Sequence, residues 1–250
     1  MPKKQSTITL ITDFGLQDGY VGVMKGVISN INPSASVIDI SNTIAAQDIF
    51  QAACVLNNSY NYFPKGTIHV VVVDPGVGSD RKILCLKTED YMFLAPDNGV
   101  LSLVIEKEES SSIREVTNGK FFLPKLSNTF HGRDIFAPVA AHLSKGVSHK
   151  ELGERVDKTK EISLPKPILS PDGKLTAEII YVDSFGNLIT NVNKEVVDRM
   201  KIETDRVSIT MGRRRIIGIC SSYTDVGDNE ALAIFGSSGY LEISVNLGSA

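Results

Sequence analysis

The sequence lacks tryptophan, long apolar runs and blocks of like charge. Its net charge is only −3 over 250 residues, which does not indicate a basic face for nucleic acid. No apolar run approaches the roughly 18 residues that a membrane-spanning helix requires. Residues 1–4, MPKK, lack the apolar core of a signal peptide. These absences predict a cytoplasmic protein that binds neither nucleic acid nor a membrane.

The sequence also lacks paired cysteines. Cys54, Cys85 and Cys220 lie far apart, never as CxxC, and each stands among apolar neighbours. A disulfide framework or a structural zinc site needs cysteines at characteristic, often close, spacings. The pattern therefore predicts buried reduced thiols and no metal site.

The N-terminal part of the chain alternates strands with helices. A nearly unbroken β-branched run at 67–74 is typical of a central strand that is covered on both faces. Alternating elements indicate an α/β fold built on a mostly parallel sheet. By hydrophobic pattern, strands are predicted at 7–12, 36–40, 67–74, 81–87 and 91–95, and helices at 20–31, 46–63 and 134–143.

The composition changes at 158–173, KTKEISLPKPILSPDG, where three prolines and a Pro-Asp-Gly turn mark a linker. Beyond it the chain is mostly strands with one short helix near 194–201. We therefore expect an N-terminal α/β domain over 1–165 and a small β-rich, barrel-like domain over 172–250.

One glycine-containing loop imitates a nucleotide-binding motif. In VVVVDPGVGSDR, residues 70–81, a strand leads into Asp-x-Gly-x-Gly, as in Rossmann-type methyltransferases. That motif works by opening a helix whose N-terminus faces the ligand, whereas the residues after Gly78 read as another strand. The alternative reading is a turn capped by Asp74. Asp74 lies at the carboxyl end of a central strand, where open α/β sheets place ligands.

Other polar turns have both a structural and a functional interpretation. Asp13 in TDFGLQDGY follows the first strand and either caps a loop or binds a ligand; the kinase-like DFG triplet has no kinase context. APDNG at 95–99 is typical of an ordinary turn. VDSFGNLITN at 182–191 and FGSSGYLEI at 235–243 are either hairpins or loops that approach a ligand.

The stretch TFHGRDIFAP at 129–138 places a histidine, an arginine and an aspartate at the start of a helix. A cap from Asn128 or Thr129, with Asp134 favoured by the helix dipole, explains the aspartate without any chemistry. The cap and the helix dipole do not explain why a histidine, His131, lies just before the helix. The other histidines, His69, His142 and His149, are interpreted as structural.

Taken together, six segments in order resemble one family, the S-adenosyl-L-methionine (SAM) hydroxide adenosyltransferases, which are related to fluorinases and chlorinases. The segments are TDFGLQDGYVGVMKGVI, DPGVGSDR, LAPDNGVLS, TFHGRDIFAPVAAHL, DSFGNLITN and GSSGYLEISVN. The resemblance implies a homotrimer in which SAM lies between the N-terminal domain of one subunit and the C-terminal domain of its neighbour. It also implies attack of a water-derived nucleophile on the ribose C5′, which gives adenosine and methionine without a cofactor.

The resemblance also implies residue roles. Asp74, Arg81 and His131 match the catalytic set that activates water, with Arg81 keeping Asp74 charged and in place. Asp13 matches a residue that holds the ribose hydroxyls, and Asn187 one that binds adenine. The methionine moiety is assigned to Asp183 and Ser237, with Ser238 and Glu242 in the same segment.

The resemblance favours the hydrolases over the halogenases. Fluorinases have tyrosines where this chain has Asp74 and His131, serine in place of Gly132, and an inserted loop near 88–90. Two alternatives remain at this point: a SAM-dependent methyltransferase using the glycine-containing loop, and a SAM or adenosine sensor without turnover.

Overall fold

The computed structural model describes residues 6–108 and 111–250. The chain divides into two compact units after Ser163, the second of which is Leu164–Ala250. The boundary falls within the stretch of 158–173 that was predicted as a linker. Residues 1–4, on which the signal-peptide prediction rests, lie outside the described ranges.

The first unit alternates strands and helices as expected. Its elements are β1 (Thr7–Thr12), α1 (Tyr20–Ile31), β2 (Ser36–Ser41), α2 (Ile49–Ser59), β3 (Ile68–Val72), β4 (Ile83–Lys87), β5 (Met92–Pro96), α3 (Ser102–Lys107), β6 (Ser112–Glu115) and α4 (Ala137–Ser144). The sequence patterns did not predict α3 and β6, whose short apolar stretches are each followed directly by charged residues.

One six-stranded sheet runs through this unit in the order β2-β1-β3-β5-β4-β6. The first four strands in this order, β2, β1, β3 and β5, pair in parallel. In contrast, β4 is antiparallel to both β5 and β6. The predicted α/β fold with a mostly parallel sheet is confirmed. The short turn at 88–90 explains the exception, because a turn of that length can join only antiparallel strands.

The helices cover both faces of the sheet. Val21, Met24 and Ile28 recur at helical spacing along α1 and are buried with α4 against one face of β1 and β3. On the opposite face, Tyr60, just after α2, meets the ring of Phe93 at 5.4 Å between centroids. This burial on two faces accounts for the unbroken apolar run of β3.

The helix predicted at 134–143 begins earlier, with a wide π-type turn over Gly132–Phe136 before α4. Pro138 has no N–H to donate to the carbonyl of Asp134 four residues back. That carbonyl instead accepts the N–H of Leu123 at 2.9 Å. The start of the helix is therefore re-shaped immediately after His131.

The second unit is antiparallel and β-rich, as expected. It comprises β7 (Ile168–Leu169), β8 (Leu175–Thr176), β9 (Ile179–Val182), β10 (Leu188–Asn193), α5 (Lys194–Arg199), β11 (Ser208–Met211), β12 (Arg214–Ile217), β13 (Ala231–Phe235) and β14 (Tyr240–Val245). Four strands form a sheet in the order β13-β14-β10-β9, and β7-β8 and β11-β12 form separate pairs.

The three cysteines are free thiols, with Cys54 and Cys85 buried and Cys220 only half-buried. Burial raises the pKa of the Cys54 thiol to about 12. It also raises that of Cys85 to about 12, so neither is ionised at neutral pH. Within residues 6–108 and 111–250, no helix has the length and apolarity needed to cross a membrane.

Candidate active site

The carboxyl edge of the parallel sheet collects the first candidate residues. Thr12, the last residue of β1, pairs with Val72, the last residue of β3. Asp13 and Asp74 follow these two strand ends. Because the strands are parallel neighbours, both carboxylates emerge at the same edge, where this fold class binds ligands.

Arg81 joins Asp74 to His131. Its Nε lies 2.9 Å from both carboxylate oxygens of Asp74, and its Nη2 donates to Oδ2 as well. The same Nη2 lies 2.8 Å from Nδ1 of His131. The side chains of Arg81 and Asp74 are only 7% and 5% exposed. The structure therefore brings the three predicted catalytic residues into one desolvated hydrogen-bonded network.

The network fixes the tautomer of His131. Arginine has only donors, so Nδ1 of His131 must accept, and the proton of the neutral ring lies on Nε2. Burial lowers the pKa of His131, the charge of Arg81 lowers it further, and Asp74 and Asp134 oppose the shift. The ring is thus held neutral, with Nε2 as its available donor.

The loop that carries His131 rests directly on the loop that carries Asp74 and Arg81. Gly78 has φ +80°, and a Cβ there would stand 2.3 Å from the carbonyl oxygen of Asn128. Only glycine permits this approach. Two loops that are distant in sequence are thereby held together.

Arg133 and Asp134 serve a structural purpose beside the network. Arg133 donates to Asp134 through Nε at 2.6 Å and Nη2 at 3.1 Å. Asp134 also accepts the N–H of Ser127 at 2.7 Å. Burial raises the pKa of Asp134, but the bonds from Arg133 and Ser127 outweigh it and lower the value overall. Asn128 and Thr129 make no side-chain cap at this helix start, so the prediction of a cap from either residue is wrong. Asp134 instead holds the preceding loop through its bond from Ser127.

An aromatic group lies next to His131. The rings of Phe14, Tyr20 and Phe130 contact one another, with centroids 5.0–5.8 Å apart. A Cβ on Gly132 would meet Met24, Phe130 and Phe14 at 3.2–3.3 Å. The site is tightly filled at Gly132, which leaves little room for a larger residue there.

Asp13 has one oxygen engaged within the protein. Its Oδ2 accepts the backbone N–H of Gln47 at 2.9 Å, so the loop-capping interpretation is correct. The other oxygen accepts no hydrogen bond from the described residues and remains available as an acceptor for a ligand hydroxyl.

The glycine-containing loop does not open a helix. After residues 75–80 the chain enters β4 at Ile83. A methyltransferase-type loop requires a helix N-terminus at this point. The methyltransferase alternative is therefore not supported by the structure.

The remaining histidines are structural, as interpreted. His69 is fully buried in β3, with Nδ1 2.8 Å from Oγ1 of Thr9. Its Nε2 has no partner among the described residues, and its ring stacks on Phe93 at 5.1 Å. His149 bonds to Ser112, and His142 lies within α4.

The second unit carries the other predicted site residues. In the turn before β10, Oδ1 of Asp183 accepts the N–H groups of Phe185 and Asn187, each at 2.9 Å. Its Oδ2 accepts Nδ2 of Asn187 at 2.9 Å. Asp183 therefore orients Asn187, whose Oδ1 accepts nothing from the described residues. A contact of Asp183 with methionine remains a prediction.

Ser237 and Ser238 lie in the turn between β13 and β14, apart from Asp183 and Asn187. The register pairs Leu188 with Ile243 and Asn193 with Tyr240, which places the two turns at opposite ends of the β10–β14 pair. Glu242 lies between them, its carboxylate against Gly236. Burial raises the pKa of Glu242, and the charge of Asp183 raises it further.

Two neighbouring aromatic residues were missed by sequence reasoning. Phe185 is 77% exposed in the same turn as Asn187. Tyr223 lies 3.4 Å through its hydroxyl from Glu242. The presence of an aromatic residue inside the polar turn DSFGN could have indicated that Phe185 is exposed beside Asn187. Nothing in the sequence relates Tyr223 to Glu242.

A cavity of about 510 Å³ in the second unit is separate from these residues. Leu241 and Ile243 line it, whereas Glu242 between them points to the other face of β14. In the described ranges, no three His, Cys, Asp or Glu side chains are grouped so that they could hold a metal ion.

Family models match both units. The N-terminal domain of the SAM hydroxide adenosyltransferases matches residues 8–153, and the C-terminal domain matches residues 177–250. The chain belongs to the SAM hydroxide adenosyltransferase family.

Individual relatives agree with this family. The chain is 37% identical to an (R)-S-adenosyl-L-methionine hydrolase of Methanocaldococcus jannaschii, over 95% of this chain and 87% of that protein. It is 26% identical to a fluorinase of Actinoplanes, over 78% of this chain and 74% of that protein. A solved structure of an uncharacterized conserved protein from Thermotoga maritima shares 41% identity with a TM-score of 0.90, covering 97% of this chain and 94% of that one.

The contact at Gly78 generates a stability prediction. Gly78→Ala introduces both backbone strain and a collision with the carbonyl of Asn128. The matched control is Gly146→Ala, because Gly146 has φ +97° and open space around it. We expect Gly146→Ala to cost about 1 kcal/mol and Gly78→Ala to cost about 2 kcal/mol more, measured by denaturant unfolding. Equal losses would contradict the tight contact of the two loops.

Proposed function

We propose that the protein hydrolyses SAM to adenosine and L-methionine, with the water activated by Asp74, Arg81 and His131. The observation that carries the proposal is the buried bridge from Arg81 to both Asp74 and His131. Family membership and relatives named (R)-S-adenosyl-L-methionine hydrolase support the same reaction. No cofactor is required, because SAM already carries its leaving group.

The reaction needs help only on the nucleophile side. The water oxygen forms a bond to C5′ of the ribose, and the C5′–S bond breaks with its electron pair moving to sulfur. The sulfonium becomes a neutral thioether, so methionine leaves without needing a proton. The water loses one proton. A positioned base for that proton contributes about 10²–10⁴-fold.

The hydrogen bonding gives Asp74 and His131 different roles in activating the water. Nδ1 of His131 already accepts from Arg81, so its Nε2–H acts as a donor toward the water oxygen. The Asp74 carboxylate then accepts the proton. Arg81 holds both groups and balances the charge of Asp74. In a desolvated site, hydroxide-like charge approaching a sulfonium cation is stabilised.

The substrate contacts are divided between the two units. Asp13 of the first unit would hold the ribose hydroxyls through its free oxygen, and Asn187 of the second would bind adenine. Ser237 would contact the methionine moiety, with Glu242 and Ser238 in the same segment. Large apolar side chains stand beside both sets: Leu16 is 75% exposed near Asp13, and Phe185 is 77% exposed near Asn187. Association of subunits would cover these side chains, and the family resemblance implies a homotrimer with sites between subunits.

A sensor that binds SAM without turnover is the second candidate. Binding and hydrolysis share most of these residues. The carboxylate oxygen of Asp13 that is not bonded to Gln47 could hold a ribose hydroxyl in a sensor as well as in a hydrolase. The buried network favours hydrolysis, because binding alone does not require a neutral histidine held against an arginine.

Product analysis tests the reaction. Purified protein is incubated separately with the (S) and (R) sulfonium epimers of SAM, and products are separated by chromatography. We expect adenosine and methionine in equal amounts, and faster from the (R) epimer, for which the relatives are named. At high chloride or fluoride we expect no 5′-halo-5′-deoxyadenosine, because Gly132 offers no hydroxyl and Asp74 repels an anion. Unchanged SAM would support the sensor instead.

Substitutions in the network test the catalytic roles. Asp74→Asn should lower kcat by at least about 10²-fold, the scale of a lost general base. His131→Ala should lower it by at least about 10²-fold as well, because the water loses the donor that positions it for attack. KM for SAM should change little, because the ribose and adenine contacts remain. The double variant should cost little more than the worse single one.

The control for this experiment is Arg133→Lys, which keeps a cation beside Asp134 outside the network. Its turnover should stay near that of the wild type. Near-normal turnover of Asp74→Asn and His131→Ala in folded protein would show that the assigned mechanism is wrong, even with SAM as the substrate.

Subunit complementation tests the shared site. Asp74→Asn removes a residue of the first unit, and Asn187→Ala removes one of the second, so each variant alone should be nearly inactive. In a trimer co-expressed from both, a site can combine the intact first unit of one subunit with the intact second unit of another. We expect activity to return in the mixture. A monomer in light scattering, or a mixture as inactive as its parts, would refute the shared site.

A further inference from the structure

The two members of the buried ion pair come from strands that are not neighbours. Asp74 follows β3 and Arg81 precedes β4, and the sheet order places β5 between those strands. With strands spaced about 4.8 Å apart, β3 and β4 run roughly 10 Å from each other. Arg81 therefore reaches across the end of β5 to bond Asp74. The pair's geometry depends on how that end is built.

The turn after β5 bonds to both flanks of the pair. The pairing of β3 with β5 reaches only to Val70 and Leu94. Beyond it, Nδ2 of Asn98 donates to the carbonyl of Val73, the residue before Asp74, at 2.9 Å. On the other side, the N–H of Asp97 donates to the carbonyl of Lys82, the residue after Arg81, at 2.9 Å. One turn thus sets both chain positions from which the ion pair extends.

The side chain of Asn98 is itself held in one orientation. Its Oδ1 accepts the N–H of Val100 at 3.2 Å, which directs Nδ2 toward Val73. The next residue, Gly99, has φ +99°, and a Cβ there would stand 2.6 Å from Cγ2 of Ile162. The turn is pressed between the sheet edge and the segment that leads out of the unit, so it has little freedom to shift.

We infer that Asn98 is a positioning residue for the reaction: it touches no reacting atom, but fixes the distance between Asp74 and Arg81 on which water activation depends. The motif APDNG, which reads as an ordinary turn, therefore serves the active site. This inference rests on the proposed function for its kinetic consequence, and on the structure alone for its effect on the network.

Asn98→Asp is the sharpest test. The substitution keeps the shape of the side chain and the acceptor for Val100, replaces the donor to Val73 with an oxygen that repels it, and adds one negative charge. We expect kcat for SAM hydrolysis to fall at least about tenfold, the scale of one hydrogen bond to a group that matters in the transition state. KM should stay within about threefold, because the substrate contacts lie elsewhere. A raised KM with unchanged kcat would overturn the inference.

Asn118→Asp is the matched control. Asn118 makes the same pair of bonds in another turn: Nδ2 donates to the carbonyl of Glu151 at 2.8 Å, and Oδ1 accepts the N–H of Lys120 at 3.2 Å. Asn118→Asp should therefore lose similar stability in denaturant unfolding while keeping kcat. Equal loss of kcat in both variants would reduce Asn98 to a general stability role and overturn the inference.

A double-mutant cycle asks whether Asn98 acts through Asp74. In the Asp74→Asn background the pair is already lost, so adding Asn98→Asp should lower kcat by less than about twofold. A full tenfold further loss would show that Asn98 acts independently of Asp74, against the inference.

A measurement without substrate separates this inference from the proposed function. The His131 ring is titrated by NMR in the wild type and in Asn98→Ala, which removes the donor to Val73 without adding a charge, with the signal assigned through His131→Ala. Release of Arg81 should raise the pKa of His131 toward its ordinary value of 6.5, while Asn118→Ala leaves it unchanged. An identical titration in wild type and Asn98→Ala would overturn the positioning role, whether or not SAM is hydrolysed.

Discussion

The guanidinium of Arg81 is the constraint on which the candidate active site at the sheet edge depends. It is a desolvated cation with donors only, so every group around it must accept. Asp74 supplies the charge, and the nitrogen of His131 that faces Arg81 must be unprotonated. A buried cation that lost its carboxylate partner would cost several kcal/mol. The loop contact at Gly78 and the turn after β5 make sense as the devices that hold these acceptors at bonding distance.

Much of the architecture could be predicted from local patterns. The apolar spacing in α1 and the β-branched run of β3 report burial that each residue experiences within its own element. The positions of Asp13 and Asp74 just after strands were enough to place them at the carboxyl edge, because parallel strands end together. The resemblance to a family then grouped Asp74, Arg81 and His131, which no spacing in the sequence relates.

The rest depended on contacts between segments that are distant in sequence. The tautomer of His131 follows from a bond to a residue 50 positions away. Asp134 was interpreted as a helix-dipole partner, because no sequence pattern indicates that it accepts hydrogen bonds from Ser127 and Arg133, even though both are close in sequence. APDNG was interpreted as an ordinary turn, because its proline, asparagine and glycine are fully explained by the needs of a turn. Its bonds to the flanks of Asp74 and Arg81 appear only once β5 is seen to lie between β3 and β4.

The buried ring of His69 makes the folding of the six-stranded sheet sensitive to acid. Burial lowers the pKa of this histidine from 6.5 to about 3, whereas in the unfolded chain the ring titrates near 6.5. Above that pH neither state binds the proton, and the contribution of the ring to the free energy of unfolding is complete. As the pH falls from 6.5 toward 3, only the unfolded chain takes up the proton, so that contribution is progressively lost. One uncharged ring in β3 therefore gives the strand that presents Asp74 a lower pH limit of its own, independent of the chemistry at its end.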